Sequence, residues 1–183
     1  RGFLTEDEIQ ALSTISLDNP NFALARDLFL FGCWTGISFT DIKNLTTDNI
    51  VEMNGASWIV SKRQKTGVPF QIKLMDIPMQ IIRRYEPFRR DKRLFNIGSL
   101  DMVNKRIKAV AKKCGIEKPV SFHLSRHSFA VLALNYGMPI ESVSKILGHT
   151  NITTTQIYAK VTNAKLENDI SAFESKISGR FVL

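Results

Sequence analysis

Apolar positions repeat at helical spacing at both ends of the chain and alternate in a stretch between them, so the pattern predicts helices around one small sheet. The opening Thr5-Glu6-Asp7-Glu8 is a capping box, and a helix is expected from there to about Ser16. Asn19-Pro20 starts a second helix, Asn21 to about Trp34, apolar on most sides and therefore buried. Thr35-Gly36 ends it, and a short helix from about Thr40 to Leu45 follows. The period then changes. Ile50–Met53, the turn Asn54-Gly55 and Ser57–Val60 read as a hairpin, because Asn-Gly tolerates positive φ. Lys65-Thr66-Gly67 makes a second turn, and Phe70–Leu74 alternates as a third strand. Pro78 restarts a helix to about Tyr85. Three apolar helix faces follow. One runs Val103, Ile107, Val110, Ala111 and Cys114 to a stop at Gly115; the next runs Phe129, Leu132, Ala133 and Tyr136 to Gly137. Ile140, Val143, Ile146 and Leu147, closed by Gly148, form the third. A short helix over Thr153–Ala159 and a tail helix over Asn163–Lys176 complete the prediction. The expected fold class is mainly α with a small three-stranded antiparallel β-sheet.

With 44% apolar and 23% charged residues among 183, the chain is ordinary globular material, and disorder is excluded. Its longest apolar run falls far short of the ~20 residues that span a bilayer. Lys and Arg number 25 against 17 Asp and Glu, a net charge of +8 that points to a polyanion, with nucleic acid ahead of an anionic membrane. The excess is concentrated in two consecutive segments, Arg83–Arg93 and the helix after it. Arg83, Arg84, Arg89, Arg90, Lys105, Arg106 and Lys108 are the candidate phosphate-tracking residues. Cys33 and Cys114 read as reduced core residues of an intracellular, cytoplasmic protein. The chain opens on Arg1 without a signal peptide and looks like a piece of something longer.

The chemistry gathers late, in His123-Leu124-Ser125-Arg126-His127, then Leu147-Gly148-His149, then Tyr158. A metal site does not fit. His123 and His127 share a helix face, but Leu124 stands where zinc proteases carry Glu, and Arg126 beside a cation is unfavourable. His127 alone reads as a packed or solvated helix residue. A phosphodiester site does fit. Arg126 can grip two non-bridging oxygens through its planar fork. His123, one turn away, can move a proton near neutral pH. Gly148 lets the backbone at His149 approach a substrate, and Tyr158 offers a phenol as nucleophile.

In this order and at these separations, the motifs resemble the tyrosine recombinases of the phage-integrase type. Upstream, Thr35-Gly36-Ile37-Ser38-Phe39-Thr40-Asp41-Ile42 is similar to the family's first box, and Gln64-Lys65-Thr66-Gly67 to its β-hairpin lysine segment. The resemblance runs from about Leu4 to Lys160, and its flavour is that of integrases of Bacteroides-type conjugative transposons. It implies the recombinase catalytic-domain fold over residues 1–183, with 163–183 a tail helix that folds back or is exchanged between protomers. An N-terminal core-binding domain is expected beyond this chain, so the isolated piece should bind DNA weakly and with strong salt dependence.

The implied activity is cleavage and rejoining of DNA strands through a 3′-phosphotyrosyl intermediate, to integrate or excise a mobile element. Tyr158 would be the nucleophile and Arg126 the transition-state cation. Lys65 would be the general acid for the leaving 5′-oxygen, His123 the acceptor of the Tyr158 proton and His149 a phosphate hydrogen-bond donor. No metal, cofactor or ATP is implied. The partners are double-stranded attachment sites, a tetramer on DNA and accessory DNA-bending proteins of the host or element. One position departs from the pattern: Ser38 stands where the family carries an arginine. Arg63 is the candidate replacement, because it lies two residues before Lys65 and so on the same strand face; Lys62 and Arg84 are weaker ones. Two rival classes remain. Ile140–Leu147, Gly148 and Thr153–Ala159 have the outline of a non-catalytic helix-turn-helix, and a type IB topoisomerase would share the chemistry.

Overall fold

Helix α2 (Pro20–Thr35) is the axis of the molecule because its sequence leaves almost no polar face. Asn19 caps it by accepting from the Asn21 N–H at 2.9 Å, and Pro20 stands in the first turn, where no amide hydrogen is needed. Helices α1 (Glu6–Thr14), α4 (Asp76–Tyr85), α5 (Leu100–Lys113) and α6 (Phe122–Asn135) all pack against it. Phe29 and Phe31 are fully buried on α2, set edge-on to Phe122 and Phe95. Each such side chain contributes roughly 1.5–3 kcal/mol by leaving water. Two charged α2 residues are buried with partners. Arg26 Nη1 donates to the carbonyls of Leu12 and Ile15 at the end of α1, both at 3.1 Å. Asp27 accepts from Arg84 Nη1 and from the Tyr85 hydroxyl, both at 2.8 Å.

The computed structural model describes residues 2–159 and 163–180. Lys160, where the resemblance ends, and the last three residues of the expected tail lie outside the described residues. A short α3 (Phe39–Asn44) leads into the sheet, β1 (Ile50–Met53), β2 (Ala56–Lys62) and β3 (Pro69–Lys73), antiparallel in the order β1-β2-β3. Its register pairs Val51 with Trp58 and Ile59 with Ile72, and turns the buried Ile59, Phe70 and Ile72 to the core. Helices α7 (Ile140–Leu147), α8 (Thr153–Gln156) and α9 (Asn163–Ile177) follow. The expected class, mainly helical with one three-stranded antiparallel sheet, is the class observed. Among the described residues no helix is long and apolar enough to cross a membrane.

Two boundaries differ from expectation, each for a local reason. α4 begins at Asp76, so Pro78 sits inside its first turn. α6 runs from Phe122 and carries His123 and His127 on one helix, as their spacing implies, ahead of the apolar face that starts at Phe129. α8 stops at Gln156 rather than Ala159, since its β-branched threonines sustain only one turn, and Tyr158 therefore stands on a turn. The core has two parts. A large cluster fills the space around α2. A smaller one, Phe129, Ala130, Leu134, Val143 and Leu147, joins α6 to α7 and carries Tyr158 against it.

Candidate active site

Two helices end side by side at glycines in the left-handed conformation, α2 at Gly36 (φ 65°) and α7 at Gly148 (φ 67°). A helix C-terminus presents unsatisfied carbonyls and the negative end of the helix dipole. Arg126 is held by both: Nη1 donates to the Gly36 carbonyl at 2.7 Å and Nη2 to the Leu147 carbonyl. Neither partner is a carboxylate, so the guanidinium is fixed in place while its charge stays uncancelled. Burial, and then Arg63, push its pKa down to about 10, with Asp41 and Tyr158 pulling the other way. It remains a cation at neutral pH.

The second cation of this corner is Arg63, at the end of β2. Its Nη1 donates to Asp41 Oδ2 at 3.0 Å and its Nη2 to the Ile146 carbonyl on α7, while the guanidinium lies 3.9 Å from the centre of the Phe70 ring. Burial lowers its pKa and Asp41 raises it. A Cβ at Gly148 would come within 2.8 Å of Arg63 Nε. Glycine is needed there twice, for the positive φ and for the close approach. Ser38 is turned elsewhere. Its hydroxyl caps α3, accepting from the Asp41 N–H at 3.2 Å and donating to Asp41 Oδ2 at 2.7 Å. Asp41 also accepts from the Gln64 N–H at 2.8 Å, and so ties the hairpin to α3. In the sequence Asp41 stands out only as part of the Thr35–Ile42 segment; nothing local announces its partners Arg63 and Gln64 just past β2.

His149 follows Gly148. Burial first, then Arg126 and Arg63, push its pKa down to about 4, so it is a neutral imidazole at pH 7. Its Nδ1 meets the hydroxyl of the fully buried Thr155 at 2.8 Å. Thr155 escapes sequence reasoning, because nothing sets it apart within Thr153-Thr154-Thr155. Tyr158 is half-buried, with its ring centre 5.2 Å from that of His127. His123 is exposed on α6, its Nε2 2.8 Å from Nε2 of the buried His127.

Lys65 is exposed on the turn that follows β2. The Arg63 N–H donates to the Val68 carbonyl and the Gly67 N–H to the Arg63 carbonyl, both at 2.8 Å, closing that turn. The structure thus gathers Arg126, Arg63 and His149, sets Tyr158 against His127, which also meets His123, and carries Lys65 on the adjoining turn. Of the candidate phosphate-tracking residues, Arg83 and Arg90 are exposed at and after the end of α4, and Lys105 and Lys108 are exposed on α5 beside the half-buried Arg106. Two have acidic partners: Arg84 meets Asp27 at 2.8 Å and Arg89 meets Glu86 at 3.6 Å. Among the described residues no group of three or more His, Cys, Asp or Glu forms a metal-ligand set.

Residues 2–165 match the phage integrase family. The tyrosine recombinase XerD of Halalkalibacterium halodurans is 39% identical over 188 residues, which cover 94% of this chain and 62% of that protein. Among solved structures, the XerH site-specific recombinase bound to palindromic difH superposes with a TM-score of 0.75 at 18% identity, over 94% of this chain and 53% of the other. The Tn1549 transposon integrase in complex with circular intermediate DNA gives 0.73 at 19% identity, over 94% and 67%. The chain therefore spans between half and two thirds of the length of these proteins. With its mainly helical fold, its single three-stranded sheet and its ordered motifs, the chain belongs to the phage integrase family of tyrosine recombinases, which are DNA strand-transferring enzymes.

Proposed function

We propose that this chain is the catalytic part of a site-specific recombinase that cuts and rejoins DNA through a 3′-phosphotyrosyl intermediate. The Tyr158 oxygen attacks the scissile phosphorus and its proton passes to His123. The 5′-oxygen leaves with a proton from Lys65, which stands on an exposed turn free of packing constraints. Arg126 and Arg63 hold the non-bridging oxygens, and neutral His149 donates a hydrogen bond to one of them. One phosphate ester is exchanged for another, so no nucleotide is consumed. Attack by a second strand's 5′-hydroxyl reverses the step and completes the exchange.

The observation that carries this reading is the pair of guanidiniums fixed by helix-terminal carbonyls beside His149 and Tyr158. Charge held in place before the reaction stabilises the pentavalent transition state without reorganisation. Arg63 fills the role of the arginine missing at Ser38, whose hydroxyl is already engaged by Asp41. Likeness to a transposon integrase supports integration or excision of a mobile element as the setting. Double-stranded DNA is the substrate, tracked by Arg83, Arg84, Arg89, Arg90, Lys105, Arg106 and Lys108. The setting is the bacterial cytoplasm, with accessory DNA-bending proteins as partners.

The tail links protomers of a tetramer on DNA. Leu166, Ile170 and Phe173 form an exposed apolar stripe on α9, and a groove of about 740 Å³ lined by Ile9, Trp34, Ile77, Phe129, Leu132 and Met138 offers a complementary apolar seat.

The test is a denaturing gel. The protein is incubated at low salt with a randomised pool of nicked duplexes, so that the cut end diffuses away and the adduct accumulates. A DNA-linked band that Tyr158→Phe abolishes supports the reading; a parent protein that yields no such band at any sequence overturns it.

A further inference from the structure

His127 is the one histidine that this mechanism leaves without a task, yet it touches two of the groups that have one. It sits one turn along α6 from His123 and is buried to 5% exposure, while His123 faces solvent. The two Nε2 atoms are 2.8 Å apart, with ring centres at 4.3 Å and planes at 70°. The Tyr158 ring lies against the same imidazole, 5.2 Å between centres and tilted by 56°.

Two bare ring nitrogens repel at that distance, and two N–H groups collide, so one hydrogen is shared between them. The hydrogen bond on one ring nitrogen decides which form the other takes. When neutral His123 supplies the shared hydrogen, its Nδ1 is bare and can accept a proton. When His127 supplies it, the Nε2 of His123 is occupied and its Nδ1 carries the hydrogen. The state of the buried ring therefore selects which nitrogen of the exposed ring is available. Arg126 adjoins the pair on α6 and the Tyr158 ring lies against His127, while Arg63 at the end of β2, Asp41 on α3 and His149 after α7 group around Arg126.

We propose that His127 is a positioning residue for the strand-transfer reaction. It orients the His123 ring, fixes its tautomer, and gives the Tyr158 ring a rigid support, so that nucleophile and proton acceptor are registered on one buried side chain. This rests on the phosphotyrosyl reading above.

Two variants separate its parts. His127→Phe keeps a ring for Tyr158 to pack on and removes the bond to His123; His127→Gln can keep that bond through its amide without titrating. With single-turnover adduct formation followed against pH, His127→Phe is expected to slow the reaction about tenfold, the scale of one lost hydrogen bond, and to change the shape of the pH profile. His127→Gln should restore most of the rate. A His127→Phe protein with the parental rate and pH profile overturns the proposal.

NMR titration of the ring C–H groups between about pH 5 and pH 8, in the range where imidazoles change charge, reads the pair without DNA. Coupled titration of His123 and His127, lost for His123 in either variant, is expected. Independent titration of the two rings in the parent protein overturns the proposal even if His127→Phe fails to fold. Because this second measurement needs no catalysis, absence of any adduct in the parent counts against the phosphotyrosyl reading alone.

Discussion

Arg63 and Lys65 stand two residues apart with opposite surroundings, and they do not share a strand face as expected, because β2 ends at Lys62 and both lie beyond it. Arg63 is buried and held by Asp41, by the Ile146 carbonyl and by the Phe70 ring face. Lys65 is exposed on a turn that backbone hydrogen bonds close and that the Gln64 N–H ties to Asp41. The contrast matches the two kinds of work that phosphoryl transfer asks of a cation. A group that steadies charge on the non-bridging oxygens is useful in proportion to how little it moves. A group that delivers a proton to a departing oxygen has to follow it. Arg126 belongs with Arg63 on the fixed side, its fork held by the carbonyl ends of two helices.

That contrast can be broken at several points. The largest effect is expected from Arg126→Ala, which removes a preorganised cation and should slow adduct formation on nicked DNA by about a thousandfold, with DNA affinity only modestly reduced. Lys65→Ala should cost about a hundredfold with an ordinary 5′-oxygen leaving group, and far less when a bridging sulfur replaces that oxygen and leaves without protonation. Its melting temperature should equal the parent's, because the side chain is exposed. Asp41→Asn should do the reverse. It leaves a buried guanidinium without its carboxylate and should lower stability by about 3 kcal/mol, read by denaturant titration. Gly148→Ala should cost about 1–2 kcal/mol in backbone strain and also displace Arg63, so its cleavage rate should fall while that of an alanine at the open turn glycine Gly67 should not.

The smallest effect is a pH dependence of stability. His149 has a folded pKa near 4 against an ordinary value of 6.5. Between these values the unfolded chain binds a proton that the folded one does not, so stability rises with pH across that window and is lost as pH falls through it. His149→Gln should flatten that part of the curve, measured as melting temperature against pH.

Much of this was legible in the sequence wherever a feature was local. α7 emerges with its observed bounds because an amphipathic face and a terminal glycine both mark it. Asn54-Gly55 gives the hairpin, since the turn needs positive φ at both residues. The motif residues Arg126, His149 and Tyr158 stand out by type and spacing. What stayed hidden is what depends on distant parts of the chain. Asp41 is one residue of the first-box segment, and its bonds to Arg63 and Gln64 come from the turn after β2, more than twenty residues on. Thr155 matters only because the turn after α7 brings His149 back to it. His127 looks idle on a helical wheel, since its contact with Tyr158 depends on where the turn after α8 sets that ring. α8 ends at Gln156, short of the expected Ala159, because its three β-branched threonines hold a helix poorly.

In the proposed mechanism Arg63, and not Ser38, supplies the second positive charge at the scissile phosphate. The most direct test compares single-turnover adduct formation by Arg63→Lys and Ser38→Ala on the same nicked duplex, each protein first checked for folding by its melting curve. Arg63→Lys keeps a charge but loses the planar fork, and it should react about a hundredfold more slowly than the parent. Ser38→Ala loses a helix cap worth about 1 kcal/mol and should react at close to the parental rate. A parental rate in Arg63→Lys and Arg63→Ala alike, or a folded Ser38→Ala protein that is as slow as the account expects Arg63→Lys to be, would contradict it.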